Sequence, residues 1–505
     1  MKKIILNTLA LSAVLLTYSC DSTEFDQDVE DIVVSSGNAN FSKYVALGNS
    51  LTAGYRDNAL YIDGQNESYP SMLATQMSLA GGGDFKQPLM ADNLGGIPSI
   101  GFANKLELQV VNGSLAPVAS SGTGTTTLAN IFGQGPYQNL GVPGAKSFHL
   151  GAAGYGNAAG VALGKANPYY ARFASSTTSS VIQDAITQNP TFFSLWIGNN
   201  DVLAYATSGG SGKDQTGNLD PTTYGSNDIT DPNVYASVMD GYLKALTTNG
   251  AKGVIANIPS VTAIPYFTTV PYNAVPLDAA TAASLNASLY GPLKQVLTAF
   301  GQGNRLNLAV AGSNPILIMD KELTSMTAQI KGGLEAAGIP TATATALGNY
   351  FGQARQATAK DLVVLTASSV IGKNPNNLPS PFDKLGVTFP LDDKYVLTEG
   401  EASKVNAAVT KYNATLSALA TKYDVAFVDA NAKMLELQKT SGIQYDGVKY
   451  NAKFVTGGAF SLDGVHLTGR GYGVIANEFI SAINSKYNSK LPKVNPNKYS
   501  GVKFP

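Results

Sequence analysis

Residues 43–55, which read KYVALGNSLTAGY, combine an apolar run with the start of a helical pattern and place a serine between them. Residues 43–48 are β-prone, mostly apolar and end in glycine, a pattern typical of a buried parallel strand. From Leu51 onward, the pattern of polar and apolar residues predicts a helix. Ser50 is therefore expected at the carboxyl end of a strand and beside a helix N-terminus, where partial positive charge favours an alkoxide.

Three further runs share this strand pattern and indicate the fold class. They are residues 191–197 (TFFSLWI), 250–258 (GAKGVIANI) and 423–429 (YDVAFVD). Helical patterns separate each run from the next, and such an alternation is typical of βαβ units. The sequence therefore predicts an α/β protein with a mostly parallel sheet.

Two helices are predicted clearly, and the second one bears on chemistry. Residues 399–422 carry apolar residues on one helical face at three- and four-residue spacing. Residues 467–487 form the second pattern, which Thr468 can cap. His466 is thus expected just before a helix and in one tight loop with Asp463, whose carboxylate could reach the imidazole Nδ1.

Four short stretches supply the residue types that catalysis by a hydroxyl nucleophile needs. They are residues 48–51 (GNSL), Gly144, residues 198–201 (GNND) and residues 463–466 (DGVH). A hydroxyl needs a base to take its proton, a carboxylate to orient that base, and hydrogen-bond donors for the oxyanion that forms.

Each of these roles has a candidate residue. Ser50 is the candidate nucleophile, His466 the base and Asp463 the orienting carboxylate. The candidate oxyanion donors are the N–H groups of Ser50 and Gly144 and the side-chain amide of Asn200. The neighbouring Asp201 is expected to fix its loop rather than to react.

The order and flanks of these stretches resemble the GDSL or SGNH hydrolase family. The matching segments are 43–55, 139–147 (NLGVPGAKS), 192–201 (FFSLWIGNND) and 460–472 (FSLDGVHLTGRGY). The chain departs from the family pattern at Asn49, where aspartate is usual. An amide keeps an acceptor oxygen, gains donors and loses a charge.

The resemblance implies a fold and an activity. The fold would be a three-layer α/β/α sandwich with a flavodoxin-like sheet of about five strands and long insertions. The activity would be hydrolysis of carboxylic esters, as in GDSL lipases and esterases, through an acyl-enzyme on Ser50 and without a cofactor. Two alternatives stay open: a glycan O-acetylesterase with the same site, and a surface lipoprotein that binds without turnover.

Other chemistries find little support in the composition. The chain has two histidines and one cysteine, so it offers no His/Cys cluster for zinc and no intramolecular disulfide. The second histidine, His149, is interpreted as a loop or packing residue because no acid stands at a spacing that could orient it. A formal net charge of −1 gives no basic excess to attract nucleic acid.

The N-terminus is predicted to carry a lipid anchor. Residues 1–19 read as a lipoprotein signal peptide, with two lysines, an apolar run too short to span a bilayer, and a loose lipobox before Cys20. Residues 20–40 begin with an acidic run and read as a tether. These features resemble lipoproteins of Bacteroidota, so we expect a lipid-anchored location in the bacterial cell envelope, at the outer membrane.

The remaining chain is interpreted as one hydrolase domain at residues 41–487 and a C-terminal tail at residues 488–505. Insertions are expected near 81–137, 207–231 and 261–397. The last contains helical patterns at 280–300 and 324–351, and it is expected to form a lobe over the edge of the sheet.

Overall fold

Five parallel strands form the centre of the protein, as seen in a computed structural model that describes residues 33–374, 377, 379–380 and 382–505. The predicted signal peptide, Cys20 and most of the tether lie outside these residues. The described strands, in chain order, are β1 (Tyr44–Gly48), β2 (Leu106–Val111), β3 (Ser114–Ala119), β4 (Asn139–Gly141), β5 (Phe192–Trp196), β6 (Lys252–Ala256), β7 (Val275–Leu277), β8 (Gly312–Asn314), β9 (Leu317–Met319), β10 (Ala354–Gln356), β11 (Leu362–Val363), β12 (Val396–Leu397), β13 (Ala426–Val428), β14 (Ile443–Tyr445) and β15 (Val448–Tyr450).

The central sheet has the strand order β13-β6-β5-β1-β4, and every neighbouring pair is parallel. Counted along the chain, this is the order 2-1-3-4-5 of flavodoxin-like folds, read from the opposite edge. The chain reverses its direction of winding between β1 and β5. In such sheets, ligands bind outside the carboxyl ends of the strands at this switch point.

Helices cover both faces of the sheet. The described α-helices are α1 (Ser50–Ala53), α2 (Ile62–Asn66), α3 (Tyr69–Ser78), α4 (Pro168–Ala171), α5 (Val181–Ile186), α6 (Asn200–Thr207), α7 (Pro232–Thr247), α8 (Pro265–Thr268), α9 (Ala279–Leu285), α10 (Gly291–Ala299), α11 (Thr327–Ala336), α12 (Thr341–Phe351), α13 (Glu399–Lys422), α14 (Ala430–Gln438) and α15 (Gly469–Tyr487). Helix α15 packs with α3 on one face, and α7 packs with α5 and α13 on the other. The predicted three-layer α/β/α fold is confirmed.

The sequence located the long helices better than strand β4. Helix α13 has the predicted bounds, and Thr468 caps α15 by accepting a hydrogen bond from Gly471 N. Strand β4 was not predicted as a strand because its three residues, Asn-Leu-Gly, lack a β-prone run. Its pairing with β1 nevertheless supplies the fifth strand of the sheet.

The insertions add small elements around this core. Residues 81–137 contain the β2–β3 hairpin, and residues 207–231 are mostly loop. In the third insertion, the helical pattern at 324–351 forms two helices, α11 and α12, because Gly338 in a left-handed conformation and Pro340 break it. No described helix is long and apolar enough to cross a membrane.

The described N-terminal residues and the C-terminal tail pack beside the end of α15. Asn38 N donates to Tyr487 O at 2.7 Å, and Lys490 N donates to Ser35 O at 2.8 Å. Farther along the tail, Val494 is buried and its N–H donates to the Asn477 side chain. These contacts attach both segments to the face of the sheet that α15 covers.

Candidate active site

Ser50 stands at the sharp junction between strand β1 and helix α1. Strand β1 ends at Gly48 and α1 begins at Ser50, so Asn49 alone connects them. A Cβ atom on Gly48 would come within 2.1 Å of Thr52 Oγ1 and 2.3 Å of Trp196 O, which explains the glycine. The junction places Ser50 at the carboxyl end of β1, as the sequence predicted.

A continuous hydrogen-bonded chain links Ser50 to His466 and Asp463. His466 Nε2 lies 2.8 Å from Ser50 Oγ, and His466 Nδ1 lies 2.9 Å from Asp463 Oδ2. Ser50 and His466 are 416 residues apart in sequence. The fold therefore brings the first and last of the four predicted stretches into direct contact.

The Asp463 carboxylate is buried and surrounded by donors. Its Oδ1 accepts from His466 N at 2.8 Å, Val465 N at 2.9 Å and Ser461 Oγ at 3.1 Å. Its Oδ2 also accepts from Asn58 N at 3.0 Å. Burial by itself would raise the pKa of Asp463, but the charge of protonated His466 and these hydrogen bonds hold it well below its ordinary value. The carboxylate is therefore ionised at neutral pH.

A turn at Asp57 and Asn58 holds the loop that contains Asp463. This turn was not predicted from the sequence. Both residues adopt left-handed backbone conformations, with φ values of 52° and 61°. Asp57 N donates to Ser461 Oγ at 3.0 Å, and Asp57 Oδ1 accepts from Leu462 N at 3.1 Å. The Asp-Asn pair was the available signal, since these two residue types tolerate the left-handed region in tight turns.

The candidate oxyanion donors come from the ends of three adjacent strands. Gly144 follows β4 with a φ of +81°, Ser50 follows β1, and Asn200 opens the helix after β5. Asn200 Nδ2 donates to Ala145 O at 2.9 Å, which ties it beside Gly144 and leaves its second amide hydrogen available. Within the described chain, no hydrogen bond uses the N–H of Ser50 or Gly144.

Asn49, the departure from the family pattern, joins the first and third stretches. Its Oδ1 accepts from Leu51 N at 3.0 Å and caps helix α1. Its Nδ2 donates to Asn199 Oδ1 at 3.2 Å. An aspartate could supply only the acceptor, so the amide makes a contact that an ionised carboxylate could not make with this Asn199 orientation.

Asp201, near the start of helix α6, holds the loop that follows Gly144. Its carboxylate accepts from Ser147 N at 2.8 Å and from Ser147 Oγ at 2.6 Å. Burial raises the pKa of Asp201, although the bonds from Ser147 and the charge of Lys146 oppose this shift. The side chain is fully buried and lies in this structural contact, in agreement with the expectation that it fixes a loop.

The structure does not bring His149 to Ser50. Its ring stacks on Tyr155 with centroids 4.5 Å apart, and its Nδ1 accepts from Lys146 N at 3.1 Å. Burial, together with the nearby Lys146 charge, lowers the pKa of His149 to about 4. His149 is therefore a neutral packing residue at physiological pH.

A cavity opens at Ser50 and His466. Its walls come from the start of α6, the loop after β6, helix α14 and the start of α15. Most of the side chains on these walls are apolar; they include Val261, Ile264, Met434, Leu437 and Ile475. An apolar space beside the hydroxyl is a feature that the sequence did not reveal, because it depends on how distant elements pack.

The first residues of the third insertion contact the candidate active site. Tyr266 N donates to Gly464 O at 2.9 Å, between Asp463 and His466. Tyr55 contacts the other side of the histidine, with its ring centroid 4.7 Å from that of His466. The imidazole is thus held by aromatic packing as well as by hydrogen bonds. No described group of His, Cys, Asp and Glu side chains is arranged to hold a metal ion.

Comparison with known proteins finds one matching family model. It is described as GDSL-like Lipase/Acylhydrolase and matches residues 327–479, a segment that includes Asp463 and His466. Residues 327–479 therefore match the GDSL-like lipase/acylhydrolase model, and the match supports the predicted class of carboxylic ester hydrolase. No curated protein matches the sequence.

Solved structures with some similarity are also esterases and hydrolases by their titles. One is a mutant of an acetyl-xylooligosaccharide esterase from Geobacillus Stearmophilus, with 10% sequence identity, a TM-score of 0.31, and coverage of 88% of this chain and 96% of that chain. Another is LAE5, an alpha/beta hydrolase enzyme from the metagenome of Lake Arreo, Spain, with 11% identity, a TM-score of 0.30 and the same coverage.

Proposed function

We propose that this chain is a serine ester hydrolase of the GDSL type, in which Ser50, His466 and Asp463 form the catalytic triad. The observation that carries the proposal is the hydrogen-bonded chain from Ser50 Oγ through His466 to Asp463, with steps of 2.8 and 2.9 Å. These distances lie in the range over which a proton passes between a nucleophile and its base.

Acylation proceeds from this geometry. Ser50 Oγ attacks the carbonyl carbon of the ester while His466 Nε2 takes the hydroxyl proton. The carbonyl oxygen becomes an oxyanion, which accepts hydrogen bonds from Ser50 N, Gly144 N and Asn200 Nδ2. The tetrahedral intermediate then collapses: the bond to the alcohol oxygen breaks, His466 gives its proton to that oxygen, and the acyl group stays on Ser50.

Deacylation repeats these steps with water as the nucleophile. His466 takes a proton from water as the water oxygen attacks the acyl carbon, and it returns that proton to Ser50 Oγ when the acyl–serine bond breaks. One water is consumed, and one alcohol and one carboxylic acid are released. Asp463 stays ionised throughout, keeps the proton of His466 on Nδ1 and stabilises the imidazolium that forms in each half-reaction.

A fluorophosphonate probe tests the proposal, because it reacts with serines that an adjacent base activates. We expect stoichiometric labelling of the purified protein, none for Ser50→Ala, and full labelling for the matched control Ser42→Ala, which changes an exposed serine just before β1. A folded wild type that stays unlabelled, or equal labelling of Ser50→Ala, would overturn the proposal. The first of these outcomes would favour a lipoprotein that binds without turnover.

We further propose that Cys20 carries a lipid anchor and that the enzyme resides at the outer membrane. The support is the order of two lysines, an apolar run, a lipobox-like segment and a single cysteine followed by acidic residues. An alkyne fatty acid fed to expressing cells should label the wild type and not Cys20→Ala. Fractionation should recover the labelled protein with outer membranes, and recovery in the soluble fraction would contradict the proposed location.

A further inference from the structure

The cavity beside Ser50 runs along the carboxyl edge of the sheet. Its lining begins at Ser50 after β1, continues with Asn199 and Asn200 after β5 and Pro259 after β6, and reaches Ala430 after β13. In the sheet order, β1 and β13 are separated by three strand spacings. At about 4.8 Å for each spacing, the residues that line the cavity span roughly 14 Å from the Ser50 end to the Ala430 end.

The far part of the cavity is apolar. Helix α14 presents Ala430, Met434 and Leu437 to it, at positions that share one helical face. Val261 and Ile264 form the wall contributed by the loop after β6. All five side chains are buried, so the wall of this space is made of carbon and is little exposed to solvent.

Among the residues that the structure describes, one lysine borders the cavity, and its charge lies outside it. Lys433 Nζ lies 2.7 Å from Glu436 Oε2 and 3.1 Å from Glu478 Oε1. Neither glutamate is part of the cavity lining. The ammonium group is therefore paired outside the cavity, and the aliphatic part of the side chain remains as lining.

We infer that this cavity binds the acyl chain of the substrate, a linear hydrocarbon of about ten carbons. The inference rests on the proposed ester hydrolysis and defines its substrate class. A carbon–carbon bond is about 1.5 Å long and an extended chain advances by somewhat less per bond, so roughly 14 Å accommodates about ten carbons. An acetyl group would fill only the space next to Ser50, and the buried apolar walls offer a sugar few hydrogen-bonding partners.

The cavity is assigned to the acyl side of the ester because of the order of events at Ser50. The alcohol must leave after the first step so that water can take its position. The acyl chain stays bonded to Ser50 until the second step. An apolar cavity that starts at this hydroxyl suits the part of the substrate that remains attached.

A series of p-nitrophenyl esters from acetate to palmitate tests the assignment. Each methylene buried in the cavity should raise kcat/KM by about fourfold. We expect kcat/KM to increase by at least about 100-fold from acetate to the octanoate and decanoate esters and to fall for palmitate. A second series, acetates of linear alcohols of the same lengths, should show no comparable rise. A rise only in this alcohol series, or acetate as the best acyl group, would overturn the inference.

Variants of helix α14 supply the second arm of the test. Ala430→Leu and Met434→Trp should fill the far part of the cavity and shift the optimum to butyrate or hexanoate. The matched control is Leu435→Trp on the same helix, whose side chain is 47% exposed and does not line the cavity. It should keep the wild-type profile.

Unchanged profiles in both filling variants would also overturn the inference. Fluorophosphonate labelling of Ser50 in each variant separates this outcome from failure of the proposed function. If Ser50 is labelled and short esters are hydrolysed, the enzyme works and only the assignment of the cavity is in question. If Ser50 is never labelled, the proposed function itself has failed.

Discussion

Replacing Asp463 by asparagine should disable the enzyme through the tautomer of His466. The carboxylate offers acceptors on both sides: Oδ1 faces the N–H groups of Val465 and His466, and Oδ2 faces His466 Nδ1 and Asn58 N. An amide has one acceptor oxygen, so its NH₂ group must face donors on one side. If the NH₂ lies at the Oδ2 position, it can donate to His466 Nδ1 only when the ring proton has moved to Nε2.

A proton on Nε2 blocks the nitrogen that must accept the proton of Ser50, which lies 2.8 Å away. A change of this kind in a serine triad lowers kcat by about 10⁴-fold. For Asp463→Asn we therefore expect a loss of about 10³- to 10⁴-fold in kcat with p-nitrophenyl decanoate, and a KM within about threefold of the wild type. Steady-state kinetics, with circular dichroism to verify the fold, measures both values.

The pH dependence of this loss provides a stricter check. Because the pKa of Asp463 is held well below its ordinary value, the wild-type carboxylate is ionised at all pH values from 7 to 8, and the deficit of Asp463→Asn should persist over that range. A folded Asp463→Asn protein within about tenfold of wild-type kcat would refute the assigned role. A deficit that disappears between pH 7 and pH 8 would refute the conclusion that the carboxylate is charged there.

Three other predictions concern the neighbouring residues. His466→Ala should abolish p-nitrophenyl ester hydrolysis, whereas His149→Ala should keep most of it, and the reverse result would relocate the site. Burial and the charge of Lys146 lower the pKa of His149 from its ordinary 6.5 to about 4, so between these pH values the unfolded chain binds a proton that the native protein does not. The contribution of His149 to the free energy of unfolding is therefore complete above pH 6.5 and should decline by about 3 kcal/mol as the pH falls to 4. Denaturant titrations should show this decline in the wild type and not in His149→Asn, and parallel curves would contradict it. Asn49→Ala should lower the free energy of unfolding by about 1–2 kcal/mol, because it removes the cap of Leu51 N and the bond to Asn199; an unchanged denaturation midpoint would argue against that contact.

The sequence predicted those parts of the fold whose signals are local. Strands β1, β5, β6 and β13 lie in apolar runs long enough to read, and α13 has a continuous apolar face between a capping threonine and its end. Strand β4 has only three residues, so its place in the sheet depends on pairing with β1 rather than on its own composition. Local pattern alone could not have placed it.

In the candidate site, too, some features have a local sequence signal and others depend on contacts between distant residues. Ser50, Gly144, Asn200, Asp463 and His466 stand in short stretches with recognisable neighbours, so they could be named from the sequence. The support that holds them could not be named, because much of it is made by contacts between residues far apart in the sequence. The bond from Asn58 N to Asp463 is one such contact, with a separation of 405 residues.

The cavity was beyond sequence analysis for a related reason. Met434 and Leu437 are ordinary apolar positions of an amphipathic helix, and such positions are usually filled by core packing. Only the assembled fold shows that these two side chains, together with Val261 and Ile264, border an open space that reaches Ser50. The choice between esters of long acyl chains and acetyl esters therefore depends on three-dimensional packing.

Detection of an acyl-enzyme shows whether Ser50 is the nucleophile. The protein should be mixed with excess p-nitrophenyl decanoate, quenched with acid within milliseconds to seconds of mixing, digested and analysed by mass spectrometry. We expect a decanoyl group on Ser50 that disappears as the substrate is exhausted and that does not form in the Ser50→Ala protein. Continued ester hydrolysis by Ser50→Ala, or an acyl group that accumulates on another residue during turnover, would contradict it.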